Sequence, residues 1–290
     1  MSAPSLAREL FGTTFLNPVI LAAGTAGYGL ELRGVTELDR LGGIVCKAVS
    51  LEPREGNRPP RVAEFPGGML NSVGLANPGL AQVRARELPA LTASLSRCRV
   101  LVNVVGFTHE EYGRVVEGLE DVEGIVAYEL NLSCPNTAAG GVEFGADPGC
   151  VQKIVADCRA RTRRGLAVKL SPALPDIPAL AVIARDAGAD AVTVVNTIPG
   201  LLFEGETTRL GNGNGGVSGP VLLPVGVLAV KRVLERTGGM PVIGVGGVRS
   251  AEDVRQYLRA GATLVGIGTA ALADPRLPER VVRDLEAGHG

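Results

Sequence analysis

Tryptophan is absent from this chain, aromatic residues make up only 3 %, and histidine occurs twice. A core without large rings has to be assembled from Val, Leu, Ile and Ala, which suits parallel strands buried on both faces. The scarcity of histidine narrows the acid–base groups. His109 sits inside what reads as a helix cap and His289 stands beside the last residue. Proton transfer therefore falls to a thiol, a lysine or a carboxylate. Cysteines at 46, 98, 134, 150 and 158 are odd in number, scattered, and without a CxxC pair. That excludes a disulfide framework, a zinc site and an iron–sulfur cluster in this chain, so no metal is expected and a reducing cytoplasm fits. Lys and Arg total 29 against 30 Asp and Glu, a formal charge of −1. Neither nucleic acid nor a membrane surface is an expected partner. Arg161, Arg163 and Arg164 cluster locally but read as a solvated helix end, where cations suit the dipole. No apolar run approaches the roughly 18 residues of a membrane span; VLLPVGVLAV (221–230) is short and holds Pro224. The N-terminus shows no signal-peptide pattern, and a soluble, cytoplasmic protein is expected.

What is present is a large aliphatic core. Hydrophobic residues make up 46 % of 290 positions, in keeping with one large α/β domain over residues 1–290. Eight β-branched or aliphatic runs recur: VILAAG (19–24), GIVCKAVS (43–50), VLVNVVG (100–106), AYELNLSC (127–134), LAVKLS (166–171), AVTVVNT (191–197), PVIGVGG (241–247) and LVGIGT (264–269). Helix-like segments lie between them, among them 150–163, 177–188 and 251–261. Thr108 with Glu111 and Ser250 with Asp253 resemble capping boxes, and Gly188 and Gly261 resemble C-terminal stops. Eight strand–helix units predict a (β/α)8 TIM barrel. The rival, an open doubly wound sheet, calls for a Gly-rich fingerprint after its first strand, and GTAG (24–27) is too sparse for one.

Polar residues gather at the strand ends. Lys47, Asn103, Asn131, Cys134, Lys169, Asn196 and Thr197 all fall at or near C-terminal ends of successive strands. In a barrel those ends share one face, where active sites form. Any one of them alone reads equally well as a hydrogen bond to a neighbouring loop; the whole set does not. The longest connections, 51–80, 135–147 and 198–221, open on the same face.

Two glycine pairs end the last strands, in VGGV (245–248) and GIGT (266–269), with SGP (218–220) nearby. Glycine there lets backbone N–H groups approach an anion, and phosphate binding after strands seven and eight recurs in barrels. Tight turns alone would also use glycine. Lys47 and Lys169 inside the mouth need partners or depressed pKa values. They suit a flavin that gains negative charge on reduction, a pair of salt bridges, or, for Lys169, a Schiff base. No two carboxylates end adjacent strands, which speaks against glycosidase chemistry.

Cys134 lies in ELNLSCPN (129–136), where a thiol is open to several readings: packing, base or nucleophile. With GMLNSVGLANPGL (68–80), KLSP (169–172), VNT (195–197), GGVSGP (215–220) and VIGVGG (242–247), this segment resembles the FMN-containing dihydroorotate dehydrogenases. The resemblance runs in order over nearly the whole chain. It is closest to the soluble class 1 enzymes, especially catalytic subunits of the two-subunit, NAD-linked type (class 1B). The membrane-associated class has serine at the cysteine position and an N-terminal extension.

The resemblance implies oxidation of dihydroorotate to orotate in pyrimidine (UMP) biosynthesis, with Cys134 taking the C5 proton while the C6 hydride goes to flavin N5. An unperturbed thiol near pKa ~8.5 is only a few per cent ionised at pH 7, so activity is expected to climb with pH unless the site favours the thiolate. Lys47, Asn71, Gly74, Leu75, Asn131, Asn136, Asn196 and Thr197 match the orotate pocket. Ala22, Gly24, Lys47, Asn103, Asn131, Lys169 and Val195 match contacts to the flavin ring and ribityl chain, and Gly219, Gly246, Gly247, Gly268 and Thr269 match its phosphate site. FAD and an iron–sulfur cluster are expected only in a separate electron-transfer subunit, joined to a homodimer of this chain as a heterotetramer. Two positions depart from the family pattern: Ala23 replaces a serine, and Leu223 in LLP (222–224) replaces a lysine. The competing readings are a fumarate-linked homodimer, a flavin barrel acting on another dihydropyrimidine, a flavin-free phosphate-binding synthase or aldolase, and a non-catalytic barrel.

Overall fold

Eight parallel strands close into a barrel in a computed structural model that describes residues 6–132, 135–136 and 142–288. In chain order the strands are Val19–Leu21, Gly43–Val49, Arg99–Val104, Ile125–Asn131, Gly165–Leu170, Ala191–Val194, Val242–Val245 and Leu264–Ile267. Five lie within the aliphatic runs and three, beginning at Arg99, Ile125 and Gly165, start one or two residues before theirs; each pairs with its sequence neighbour, the eighth returning to the first. This is the TIM barrel expected from the pattern.

Period-two alternation sorts the strand side chains into two cores. Val102, Tyr128, Leu130, Val168 and Val192 face outward, where they pack against the helices. Ile20, Val45, Leu101, Ala127, Ala167, Ala191, Ile243 and Leu264 face inward and form a separate cluster along the barrel axis. A short N-terminal hairpin, Arg8–Leu10 with Thr13–Phe15, adds Leu10, Phe11 and Phe15 to the inner cluster and plugs the bottom of the barrel. Phe15 is fully buried, and such burial contributes roughly 1.5–3 kcal/mol. The hairpin escaped sequence reading because its strands are too short to show alternation.

Helix ends follow local chemistry. Thr108 caps His109–Leu119 by accepting from the Glu111 N–H, and Ser250 caps Ala251–Arg259 by accepting from that of Asp253. The returning carboxylates reach one residue further back than a capping box requires, to the N–H groups of Phe107 and Arg249. Asp147 caps Pro148–Arg161, so that helix begins two residues before the expected 150. The Arg161–Arg164 cluster is not simply a solvated helix end. Arg161 pairs with Asp157 and Glu117, and Arg164 donates to the carbonyls of Glu120 and Val122. These arginines tie two neighbouring helix C-termini together.

Two of the long connections build a second sheet over the C-terminal face. Its antiparallel order is Ile198–Gly200, Gly215–Ser218, Gly68–Asn71 and Val62–Phe65. Among the described residues no helix is long and apolar enough to cross a membrane.

Candidate active site

Barrel and upper sheet enclose a cavity of about 1220 Å³, larger than the roughly 300–1,000 Å³ usual for one small ligand. Every expected site residue whose side chain is described lines it. Its lining includes Lys47, Asn71, Gly74, Leu75, Asn131, Asn196 and Thr197, then Ala22, Gly24, Asn103, Lys169 and Val195, and also Gly219, Gly246, Gly247, Gly268 and Thr269. Cys134 lies outside the described residues. Asn136 falls in a two-residue strand, Pro135–Asn136, paired with Val142–Glu143, and its side chain is likewise outside the description.

The floor is made by strands that change character within two residues. Inward Val45 is followed by Lys47, Leu101 by Asn103, Ala127 by Glu129, Ala167 by Lys169 and Ala191 by Thr193. Glu129 is almost wholly buried. Its Oε1 accepts from Asn103 Nδ2 at 2.8 Å and its Oε2 from the Thr193 hydroxyl at 2.7 Å, with Lys169 Nζ 3.9 Å from Oε1. Lys169 thus has the partner that a confined ammonium needs. Sequence reading missed Glu129, although an acidic residue in the middle of a buried strand was its signal.

Asn103 is 1 % exposed, and its Oδ1 has no hydrogen-bond partner among the described residues. Because Nδ2 is committed to a carboxylate, which only accepts, the orphan atom is an acceptor. A buried acceptor left unmade costs about 1–3 kcal/mol.

The loop carrying Gly74 and Leu75 is held by a residue that sequence reading also passed over. Asn77 is buried; its Oδ1 accepts from the Ser50 and Gly79 N–H groups, and its Nδ2 donates to the Leu75 carbonyl. Leu75 itself has φ 59°, a left-handed conformation costing on the order of 1–3 kcal/mol for a non-glycine residue. The bonds from Asn77 hold that strained turn at the cavity wall. Asn71 is set by the upper sheet, its Nδ2 donating to the Gly216 carbonyl at 3.1 Å. Asn131 and Asn196 approach one another, Nδ2 of Asn196 standing 3.5 Å from Oδ1 of Asn131.

At the glycine end, Gly246 and Gly247 both have positive φ, and a Cβ on Gly247 would meet the backbone N of Leu223. The wall there is backbone with no room for side chains, a cradle for an anion. Thr269 donates to the Ser218 hydroxyl at 2.7 Å. Leu223 packs on the outer core.

Charge around the cavity departs from that of the chain. Its described lining holds Lys47, Arg54, Lys169 and Arg249 against Glu64 alone, while the whole protein carries −1. An anionic ligand, or two, suits this surface. The flavin mononucleotide implied by the sequence resemblance fits on two counts: the glycine cradle for a phosphate, and lysines for charge gained on reduction. Among the described residues no cluster of metal-ligating side chains exists.

The remaining cysteines are packing residues. Burial pushes the thiols of Cys46 and Cys158 up to about 12, and that of Cys98 upward as well. Cys150 stands 3.3 Å from His109 Nε2, and its thiol is raised by burial and then by Asp147.

Comparison with known proteins agrees with this geometry. The dihydroorotate dehydrogenase family model matches residues 5–288. A protein of Solibacter usitatus named putative dihydroorotate dehydrogenase A (fumarate) is 44 % identical over 97 % of this chain and 92 % of its own. One of Trichlorobacter lovleyi named dihydroorotate dehydrogenase B (NAD(+)), catalytic subunit, is 40 % identical over 98 % and 93 %. The crystal structure of DHODH in complex with ferulenol from Eimeria tenella shares the fold, with a TM-score of 0.82 over 98 % of this chain and 86 % of that one, at 23 % identity. The chain belongs to the dihydroorotate dehydrogenase family.

Proposed function

We propose that this chain oxidises dihydroorotate to orotate with bound FMN and passes the electrons to NAD through a partner subunit. The observation that carries the reading is one cationic cavity lined both by amides and lysines and by a backbone cradle of glycines. Two anionic ligands of different shape account for both linings. Lys47, Asn71, Asn131 and Asn196 supply a cation and amides suited to a carboxylated pyrimidine, with Gly74, Leu75, Thr197 and Asn136 completing that pocket. Asn103, Lys169, Ala22, Gly24 and Val195 hold the flavin ring and ribityl chain, and Gly219, Gly246, Gly247, Gly268 and Thr269 its phosphate.

FMN, when bound, supplies the acceptor for the hydride leaving C6. Cys134 takes the C5 proton as a thiolate, so the substrate loses one hydride and one proton and becomes orotate. Lys47 and Asn131 touch both ligands, since transfer over a few ångströms requires the rings to be held together. The upper sheet limits water at the reacting carbons.

The NAD-linked subclass rests on the names of relatives such as those of Trichlorobacter lovleyi and Citrifermentans bemidjiense. The Solibacter usitatus and Aquifex aeolicus names favour a fumarate-linked enzyme. A turnover assay separates these readings. FMN-loaded chain should form orotate from dihydroorotate with an artificial dye as acceptor, and should not turn over with fumarate alone. Turnover with fumarate assigns the chain to the fumarate-linked group. Folded, FMN-loaded protein that forms no orotate with the dye overturns the dihydroorotate reading.

A further inference from the structure

The buried carboxylate of Glu129 does not line the cavity, yet both residues it holds on that side do. It accepts from Asn103 Nδ2 at 2.8 Å and stands 3.9 Å from Lys169 Nζ. The Thr193 hydroxyl anchors its other oxygen from below at 2.7 Å. Glu129 and Lys169 are 1 % and 6 % exposed, so little solvent screens the charges from each other or from the cavity.

Two consequences follow. Asn103 is held at the cavity wall with its amino group committed to the carboxylate. The Lys169 ammonium is held at a set place with part of its field cancelled. We propose that Glu129 is a positioning residue of the flavin site, orienting Asn103 and moderating Lys169 so that it sets how readily bound flavin takes up electrons. This rests on the reading of the cavity as an FMN site. It assigns to Glu129 a role in tuning the cofactor's electronics that is separate from substrate recognition.

The test is the reduction potential of bound FMN, with its dissociation constant, in the wild type and in Glu129→Gln. Glutamine keeps the volume. Its oxygen can still accept from Asn103, and the Thr193 hydroxyl can reverse to accept from its amide, so the fold should survive. Loss of the negative charge leaves Lys169 uncompensated and favours the anionic reduced flavin. We expect the ratio of affinities for reduced over oxidised FMN to rise about tenfold, an upward shift of about 30 mV for a two-electron couple. Lys169→Gln should move the potential down. A potential unchanged in Glu129→Gln, with FMN bound in both proteins, overturns the proposal. Should that variant fail to fold, Lys169→Gln is compared with Lys169→Gln/Glu129→Gln, a neutral pair better tolerated in a core. The double variant has to have the higher potential, and equal values overturn the proposal. If the folded wild type takes up no FMN, the flavin reading itself fails, a result distinguishable from a bound flavin whose potential ignores Glu129.

Discussion

The two ends of the barrel are built from the same strands and do opposite things. At the bottom, Val45, Leu101, Ala127, Ala167 and Ala191 meet the hairpin residues Leu10 and Phe15 in a dry plug. Two residues further along each strand, the inward positions are Lys47, Asn103, Glu129, Lys169 and Thr193. Side-chain alternation makes the change of character abrupt, because only every second residue points inward. The apolar half can therefore supply rigidity while the polar half carries its desolvated charges on a fixed frame. Barrels in general keep stability and chemistry at opposite faces; here the boundary is one layer thick.

Substitutions at the two ends should separate accordingly. The largest effect is expected at the proposed base. Cys134→Ala should slow flavin reduction by dihydroorotate by about 10²–10⁴-fold, measured by stopped-flow absorbance, with the melting temperature and FMN content unchanged. Cys134→Ser should recover some rate at high pH. Undiminished reduction in the alanine variant would remove Cys134 from the mechanism. At the bottom, Phe15→Ala should cost about 3–5 kcal/mol of stability in urea unfolding, while the rate of flavin reduction in the folded protein stays near wild type. A matching loss of rate would show that the ends are not independent.

A smaller effect belongs to Lys47. Truncation to alanine removes a charge-assisted contact of about 1.5–3 kcal/mol, so orotate binding, followed through the flavin spectrum, should weaken roughly 10- to 100-fold. The smallest effect is again at the bottom. Burial alone would raise the Asp39 carboxyl, but N–H groups of Cys98, Arg97 and Ser96 and the Ser96 hydroxyl bring it down to about 2. A carboxyl whose folded pKa is depressed contributes stability above its ordinary value, near 3.8. That contribution is lost as pH falls from about 4 through 2. Asp39→Asn should flatten the acid limb of the stability curve in that window without altering flavin reduction at neutral pH.

The barrel was legible because its signal is local and repeated. Each of the eight strands overlaps an aliphatic run to within two residues, and Asn103, Lys169 and Asn131 were visible as polar interruptions near the strand ends. What could not be read depends on pairing between distant residues. The upper sheet joins Met69 to Ser218 and Asn71 to Gly216, a register that no short window contains. Glu129 was hidden for the same reason. That it partners Lys169 depends on the alignment of the fourth strand with the fifth, where Ala167 faces Glu129 and Lys169 faces Asn131. Asn77 carried no signal of its own, and its bonds to Ser50, Gly79 and Leu75 emerge only once the loop is folded.

The most direct test of the polar end is the visible spectrum of the purified chain under anaerobic conditions, before and after dihydroorotate is added. A yellow protein that bleaches on addition is the expected result, and it would join flavin, substrate and hydride transfer in one observation. A folded protein that stays colourless in the presence of added FMN, or a yellow one that dihydroorotate leaves unchanged, would contradict the assignment of that end to dihydroorotate oxidation.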